Sequence, residues 1–285
     1  MADDVVEDPE MYVQLVALAH DVAAAIVETP AGGLSGSTLY IASEARRWAD
    51  IARPATSAAL TGPAADILEL LRRNWAELCA GRTYGEKLMS ENYGIWATLM
   101  RAWPMQPYAN QAAQFLSSGG LLKGLVVELG AGVGTASALV APHVEGRFVC
   151  TDLVSFLMRR RPPSSEFARY DFDEAGPWSE VDTFFGVNAL HCAKSKPATI
   201  AELHRMLKPG GTVLLAESIP VTHANGTPWP LSLSFGMFKG WWDRGGLIER
   251  DAWLNIFRDA GFRDHGYQRR VAGDFDLGGL VWGIK

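Results

Sequence analysis

The sequence predicts an α/β protein in which a largely parallel sheet follows a helical N-terminal region, and three observations lead to this fold class. After residue 119, short apolar runs alternate with helical segments, which is typical of a parallel sheet covered on both faces. Before about residue 118 the patterns are helical, and no convincing strand is present. The C-terminal stretch HGYQRRVAGDFDLGGLVWGIK reads as two strands around a Gly/Asp turn, which would close the sheet with an antiparallel pair.

The N-terminal region contains two clear helical patterns. Pro9 suits the first turn of a helix that runs through EMYVQLVALAHDVAAAIVE. In PAADILELLRRNWAELCAG, the side chains of Ile67, Leu71 and Trp75 fall on one face, and Gly81 is placed to end the helix.

Four apolar runs after residue 119 are predicted strands, namely GLVVELG, RFVCTD, TFFGVNAL and GTVLLAES. Between the last two lies a helix with Pro197 in its first turn, and the Pro-Gly-Gly at 209–211 ends it. A later helix, RDAWLNIFRDAGF, is expected to end near Gly261.

Composition excludes several classes of protein. Hydrophobic residues make up 48% and charged residues 20%, and the formal net charge is −6 without a dense basic block, which argues against duplex nucleic-acid binding. The acidic N-terminus does not resemble a signal peptide, and no apolar run is expected to reach membrane-spanning length. The three cysteines, Cys79, Cys150 and Cys192, match no zinc pattern and suit a reducing compartment. We therefore expect a cytoplasmic protein with neither nucleic acid nor membrane as a partner.

The stretch VVELGAGVGTAS carries the strongest chemical signal. A buried strand runs into Gly130, Gly132 and Gly134, and glycines at such a turn let a ligand approach the main chain closely. The nicotinamide fingerprint would require glycine at position 135, where Thr135 stands, and this disfavours a dehydrogenase.

Acidic residues follow the next two strand ends. Asp152 ends the strand after the glycine turn, where a carboxylate can accept hydrogen bonds from both hydroxyls of a ribose. One strand further on, Asp171 and Phe172 combine an acid that can bind an adenine amino group with a ring that can pack on the base. This order predicts an adenosine site.

The motifs ELGAGVGT, TDL, YDFD, VNALH and LKPGGTVLLAE together resemble those of class I S-adenosylmethionine-dependent methyltransferases. The resemblance covers about residues 119–285 and implies a Rossmann-like sheet of seven strands, the last of them antiparallel. It also implies that S-adenosyl-L-methionine is the cofactor. The contacts it implies are Glu128, Gly130, Gly132 and Gly134 on the methionine and ribose side, Asp152 on the ribose, Leu153, Asp171 and Phe172 at the adenine, and Asn188 near the methionine part and the transferred methyl.

His191 and Glu217 follow the strands TFFGVNAL and GTVLLAE directly. In this fold those strands are neighbours, so their ends lie roughly 5 Å apart at the ligand-binding edge of the sheet. A carboxylate at that distance can bind one nitrogen of a histidine while the other nitrogen accepts a proton. On the background of the glycine loop, we favour a general-base dyad over a strand cap beside a solvated acid.

The segments VNALHCAKS and LLAE also resemble the NVLHAT…LLLLE pattern of the C-methyltransferase domains of polyketide synthases, as does the segment at 232–245. That resemblance implies a dyad that deprotonates the α-carbon of a β-ketoacyl thioester. Ala189 and the residues at 192–194 depart from the pattern. The acceptor is therefore left open between a carrier-bound acyl chain, a free ketone-like metabolite and another molecule with an acidic C–H.

We expect residues 1–118 to form a helical cap that takes part in acceptor binding, and an insertion at about 218–250 of the 119–285 core to complete the roof. The aromatic residues Phe235, Trp241 and Trp242 suit an uncharged acceptor. Tyr84 and Tyr93 could donate hydrogen bonds to a developing enolate oxygen.

Two alternatives stay open at this point. The same dyad could serve an O- or N-methyltransferase that acts on a small secondary metabolite, or the chain could be a non-catalytic cofactor-binding partner. A metal-dependent O-methyltransferase is disfavoured because two candidate ligands lack a third. The expected partner is a small-molecule or carrier-protein-bound acyl acceptor, and a homodimer is possible.

Overall fold

A single mixed sheet forms the centre of the molecule. The structure is a computed structural model that describes residues 4–29, 34–154, 161–244 and 246–285. The strand order is β1-β7-β8-β6-β5-β2-β3-β4, and β8 is antiparallel to both of its neighbours. The strands are β1 (Val5–Glu7), β2 (Lys123–Leu129), β3 (Glu145–Asp152), β4 (Glu166–Arg169), β5 (Val181–Val187), β6 (Leu207–Glu217), β7 (Asp264–Ala272) and β8 (Phe275–Ile284).

The α/β class and the closing antiparallel pair are confirmed, but the described residues form eight strands rather than seven. The additional strand is β1, which pairs in parallel with β7 at one edge of the sheet. The expectation of no strand before residue 118 is therefore wrong. Three residues are too few to give a periodic pattern, and pairing with β7 and an ion pair between Glu7 and the buried Arg270 hold the strand instead.

Among the described residues, six helices precede β2; the first five pack on one another through their apolar faces, whereas the sixth packs on the sheet. They are α1 (Pro9–Glu28), α2 (Gly36–Ala49), α3 (Pro63–Cys79), α4 (Gly85–Glu91), α5 (Tyr93–Leu99) and α6 (Gln106–Ser118). As predicted, α1 begins with Pro9 in its first turn, and the Asp8 side chain caps it by accepting a hydrogen bond from the backbone N–H of Glu10 at 2.9 Å. Leu15, Trp48 and Leu71 are fully buried where these helices meet.

Helix α1 is long and apolar enough, by length and composition, to cross a membrane, with a hydropathy of 1.4. The expectation that no apolar run reaches that length is therefore wrong. In the fold, however, α1 packs against α2 and α3, and its buried face joins the apolar core of the cap. A core helix passes the same test, so the feature is weak evidence for a membrane span.

Helices cover both faces of the sheet. The remaining helices are α7 (Thr135–Val140), α8 (Lys196–Met206), α9 (Ser232–Phe235), α10 (Lys239–Trp242) and α11 (Arg250–Asp259). Residues of α8 and α11 form one core with the sheet, and residues of α6 and α7 form another. Because β2, β3, β5 and β6 are parallel, their carboxyl ends meet at one edge.

The segment between β6 and α11 packs with the N-terminal helices above that edge. Trp229, Phe235 and Trp241 share a buried apolar cluster with residues of α1, α2 and α3. The approach is closest at Gly85, where a Cβ atom would overlap the backbone carbonyl of Met237. Glycine is therefore required at the start of α4, and the cap and the segment form one roof.

Candidate active site

The glycine turn after β2 forms one wall of the site. Gly130, Gly132 and Gly134 all have positive φ, which other residues rarely adopt. A Cβ atom on Gly130 would lie 2.7 Å from the Cβ of Ala189 in the turn after β5, so a side chain is excluded there. Gly134 caps α7 and does not line the cavities described below.

Asp152 lies at the end of β3 and is held by two backbone hydrogen bonds, one of them from the glycine turn. Its carboxylate accepts hydrogen bonds from the backbone N–H groups of Gly132 at 2.9 Å and Val154 at 2.8 Å. Burial raises the pKa of Asp152, and the backbone donors oppose this effect. The acid is thus oriented at the edge of the sheet.

Two cavities lie at this edge. The larger, of about 590 Å³, has Asp152, Leu153 and Phe172 in its walls. The smaller, of about 240 Å³, is lined by the glycine turn, Glu128, His191 and aromatic side chains of the roof. Gly130 and Asn188 line both cavities, which therefore adjoin.

Asp171 lies beside the larger cavity rather than in its lining. One of its oxygens accepts a hydrogen bond from the backbone N–H of Asp173 at 3.0 Å and lies 3.9 Å from the Arg244 guanidinium. Arg244 also binds the Asp173 carboxylate at 2.9 Å. These acids therefore tie the roof to the loop after β4.

His191 and Glu217 form the predicted contact. The imidazole Nδ1 lies 2.8 Å from Glu217 Oε2, and the two residues are only 3% and 1% exposed. Glu217 Oε1 accepts hydrogen bonds from the backbone N–H groups of Ala189 at 3.0 Å and Leu190 at 2.8 Å. Because Nδ1 is engaged, Nε2 is the nitrogen left for proton transfer.

The surroundings of His191 favour its charged form. Burial lowers the pKa of the imidazole, but the side chains of Cys192 and Glu217 outweigh it and raise the pKa to about 10. Cys192 lines both cavities beside the histidine. The pair can thus hold a proton firmly and stabilise an imidazolium.

Trp241 completes the support of His191, and sequence reasoning had not assigned it this role. Its ring centroid lies 4.8 Å from that of the imidazole, and its indole N–H donates to the Tyr40 hydroxyl at 3.0 Å. The indole also stacks on Trp229 at 5.4 Å. Glu217 of β6 and Trp241 of the roof therefore hold the imidazole, and Tyr40 of α2 holds Trp241.

Asn188 lies between the two cavities and has an unusual backbone conformation. Its φ is 46°, in the left-handed region that asparagine tolerates better than most residues other than glycine. The side-chain Oδ1 accepts from the backbone N–H of Ser218 at 3.2 Å. The buried Nδ2 has no hydrogen-bond partner among the described residues, so it is free to donate to a ligand.

Glu128 is a buried carboxyl group at the base of the smaller cavity. It is 2% exposed and accepts a short hydrogen bond from the Ser137 hydroxyl. Burial raises the pKa of Glu128 to about 7. A cationic group bound beside Glu128 would therefore stabilise its carboxylate form.

The predicted acceptor residues divide into two groups. Phe235 and Trp241 line the smaller cavity, whereas Trp242 packs against Gly36 of α2 and lines a separate cavity. Tyr84 is 60% exposed, and neither it nor Tyr93 lines either cavity at the sheet edge. Tyr84 precedes α4 and Tyr93 begins α5, so both tyrosines lie at the ends of these two short helices.

Trp96 and Phe238 also line the smaller cavity, and the sequence had not singled them out for the site. Trp96 lies one helical turn after Tyr93 on α5, so the two side chains share a face of that helix. That spacing is the sequence feature that could have indicated Trp96 as a site residue. Which face of α5 meets the sheet depends on how the cap docks, which sequence periodicity does not show.

Comparison with known proteins agrees with this geometry. Residues 127–215 match a family model described as a methyltransferase domain. The chain is 31% identical over 157 residues to the non-reducing polyketide synthase ausA of Aspergillus calidoustus; the match covers 48% of this chain and only 6% of that synthase.

Two solved structures share nearly the whole fold. One is the CMeT domain of the citrinin polyketide synthase, with a TM-score of 0.72, 17% identity, and coverage of 95% of this chain and 88% of that chain. The other is the trans-methyltransferase CalH in complex with SAH, with a TM-score of 0.73, 16% identity, and coverage of 97% and 90%. These matches confirm the resemblance found in the sequence motifs.

Proposed function

We propose that this S-adenosylmethionine-dependent methyltransferase methylates an acidic carbon next to the carbonyl group of a small acyl acceptor. The observation that carries this proposal is the buried His191–Glu217 pair, which faces an aromatic cavity beside the glycine turn. The similarity to polyketide synthases supports an acyl acceptor.

The two cavities suit the two halves of S-adenosylmethionine. In the larger one, Asp152 would accept hydrogen bonds from the ribose, and Leu153 and Phe172 would pack on the adenine. In the smaller one, Glu128 would pair with the amino group of the methionine part, and the unpartnered Nδ2 of Asn188 would donate to an oxygen. When bound, the cofactor supplies an electrophilic methyl group.

His191 would remove the proton from the acceptor carbon through Nε2. The resulting imidazolium would be stabilised by Glu217, whose carboxylate is already fixed by two backbone donors. No reorganisation of the carboxylate is then needed during the reaction. The raised pKa makes the imidazole a strong base, suited to a weakly acidic C–H.

The roof would keep water away from the carbanion. Trp241 and Phe235 are 4% and 6% exposed, and they close the cavity over the imidazole. We propose that the cap at 1–118 and the insertion at about 218–250 together form the acceptor site. An apolar enclosure strengthens the electrostatic interactions inside it and limits side reactions.

The test is incubation of the purified protein with methyl-labelled S-adenosylmethionine and a panel of β-keto thioesters, free ketones, phenols and amines. Mass spectrometry would detect the transfer, and NMR would identify the methylated atom. We expect label on the α-carbon of a β-keto thioester in the wild type and none with His191→Ala. Transfer only to phenols or amines would instead establish the alternative, an O- or N-methyltransferase.

A further inference from the structure

The smaller cavity is walled on its acceptor side by aromatic rings from two separate parts of the chain. Trp96 comes from α5 of the cap, whereas Phe235 and Phe238 come from the segment after β6. The Trp96 ring lies 4.9 Å from the Phe235 ring and 4.8 Å from the Phe238 ring, nearly perpendicular to the latter. This contact forms part of the junction between cap and insertion.

The cavity is small, and the methionine part of the cofactor would take up some of it. Its volume of about 240 Å³ lies below the roughly 300–1,000 Å³ of sites that enclose a whole drug-sized ligand. Among the described residues that line it there is neither Lys nor Arg, whereas Lys194, Lys239 and Arg244 line the larger cavity. The lining on the acceptor side is therefore mainly aromatic, and the space beside the methionine part suits a small apolar group.

We propose that the part of this cavity beside the methionine part of the cofactor admits only a short, apolar acyl end of the acceptor, and that Trp96 limits the length of that end. The inference rests on the proposed function, because it takes His191 as the base to which the acyl group is presented. The acceptor class is thus a thioester or ketone whose carbonyl-bearing chain has few carbons beyond the reacting centre. Longer chains are excluded by the aromatic wall.

Trp96 is better placed for this role than the other aromatic residues. Phe235 and Trp241 are almost fully buried and pack on each other at 5.1 Å, and Trp241 also contacts His191. Trp96 is only partly buried and its ring packs on Phe235 and Phe238, so we expect its truncation to enlarge the cavity without releasing the base. Met100, one turn further along the chain, lines the same side.

The experiment compares wild type with Trp96→Ala and Trp96→Phe on β-ketoacyl N-acetylcysteamine thioesters of increasing acyl length. Trp282→Phe is the matched control, because this tryptophan packs on Phe115 and lines neither cavity. Thermal melting verifies that each variant folds, and Trp96→Phe remains available if the alanine variant does not. Calorimetry of 2-alkanones of matching lengths, with S-adenosylhomocysteine present, gives a readout that does not need turnover.

For the wild type we expect kcat/KM and ketone affinity to fall by about tenfold for each methylene that the cavity cannot hold. Trp96→Ala should move this fall to longer chains, Trp96→Phe should move it less, and Trp282→Phe should not move it. A folded Trp96→Ala protein with the wild-type length dependence in both measurements would overturn the inference. Normal length-dependent ketone binding without methyl transfer to carbon would overturn the proposed function and leave the role of Trp96 intact.

Discussion

The imidazole Nδ1 of His191 lies 2.8 Å from Oε2 of Glu217, and both side chains are buried at the carboxyl edge of adjacent parallel strands. The other carboxylate oxygen is held by two backbone N–H groups, so Glu217 cannot turn away from the imidazole without losing three hydrogen bonds. An ion pair in this environment is strongly coupled, and removal of either partner leaves the other uncompensated.

Replacement of His191 by alanine should abolish turnover and leave cofactor binding nearly unchanged. Loss of a general base typically costs about 10²–10⁴-fold in rate, whereas the proposed contacts to the cofactor come from other residues, such as Asp152 and Glu128. Turnover is measured by methyl transfer, and affinity by calorimetry with S-adenosylhomocysteine. The exposed His143, replaced by alanine, is the control, and a His191→Ala protein that keeps activity but loses cofactor affinity would refute the role.

The Glu217→Gln variant should show a changed pH profile. Because the pKa of His191 is raised to about 10, the neutral base is scarce at neutral pH, and kcat/KM should rise with pH towards that value. The amide removes the negative charge that stabilises the imidazolium, so the pKa falls and the rising limb moves to lower pH by about 1–3 units. The plateau should also be lower, because the imidazolium that forms during proton transfer is less stable.

The measurement is kcat/KM across the range from about pH 6 to pH 10. Cys192→Ala should move the limb in the same direction, because the Cys192 side chain also raises the pKa of His191. Glu145→Gln, at the opposite end of β3, should leave it in place. If the rising limb of the kcat/KM profile lies at the same pH in Glu217→Gln as in the wild type, the carboxylate does not control the protonation of His191.

Replacement of Asp152 by alanine should weaken cofactor binding by about tenfold to a hundredfold, since hydrogen bonds to a charged group contribute about 1.5–3 kcal/mol. Asp152 also holds the N–H of Gly132, so the alanine variant loosens the glycine turn as well. Asp152→Asn keeps one acceptor and should be affected less. Calorimetry measures both, and equal dissociation constants for wild type and Asp152→Ala would contradict the ribose contact.

The elements at the sheet edge were predictable from sequence because parallel strands bring their carboxyl ends together. Asp152, His191 and Glu217 each stand directly after an apolar run, so their mutual proximity follows from strand order alone. A strand as short as Val5–Glu7 has no comparable sequence pattern. Its place at the edge depends on Arg270, which is distant in the chain.

The roof was less predictable, because its contacts join segments that sequence periodicity treats separately. Trp241 reaches His191 on one side and Tyr40 on the other, and Trp96 meets Phe235 across the cap–insertion junction. The composition of both segments indicated an aromatic roof. The docking of whole helices and segments decides which rings face His191. An aromatic-rich sequence does not specify that docking.

The last prediction concerns the buried charge at the edge of the sheet. Arg270 is 0% exposed, its guanidinium lies 3.9 Å from the centre of the Tyr108 ring, and it pairs with Glu7 of β1. Burial lowers the pKa of Arg270 to about 9, which reflects the unfavourable environment for its charge. Removal of one partner from a buried ion pair typically costs about 3–5 kcal/mol, because the other charge is left uncompensated.

Glu7→Gln should therefore lower the free energy of unfolding by about 3–5 kcal/mol, and Glu7→Gln combined with Arg270→Met should recover much of that loss. Equilibrium denaturation in urea measures both, and the exposed pair Arg147–Glu166 provides the control, since Glu166→Gln should change the free energy by less than about 1 kcal/mol. If the double variant is as unstable as Glu7→Gln alone, the loss of stability arises from the unpairing of β1 from β7 and not from the uncompensated charge of Arg270.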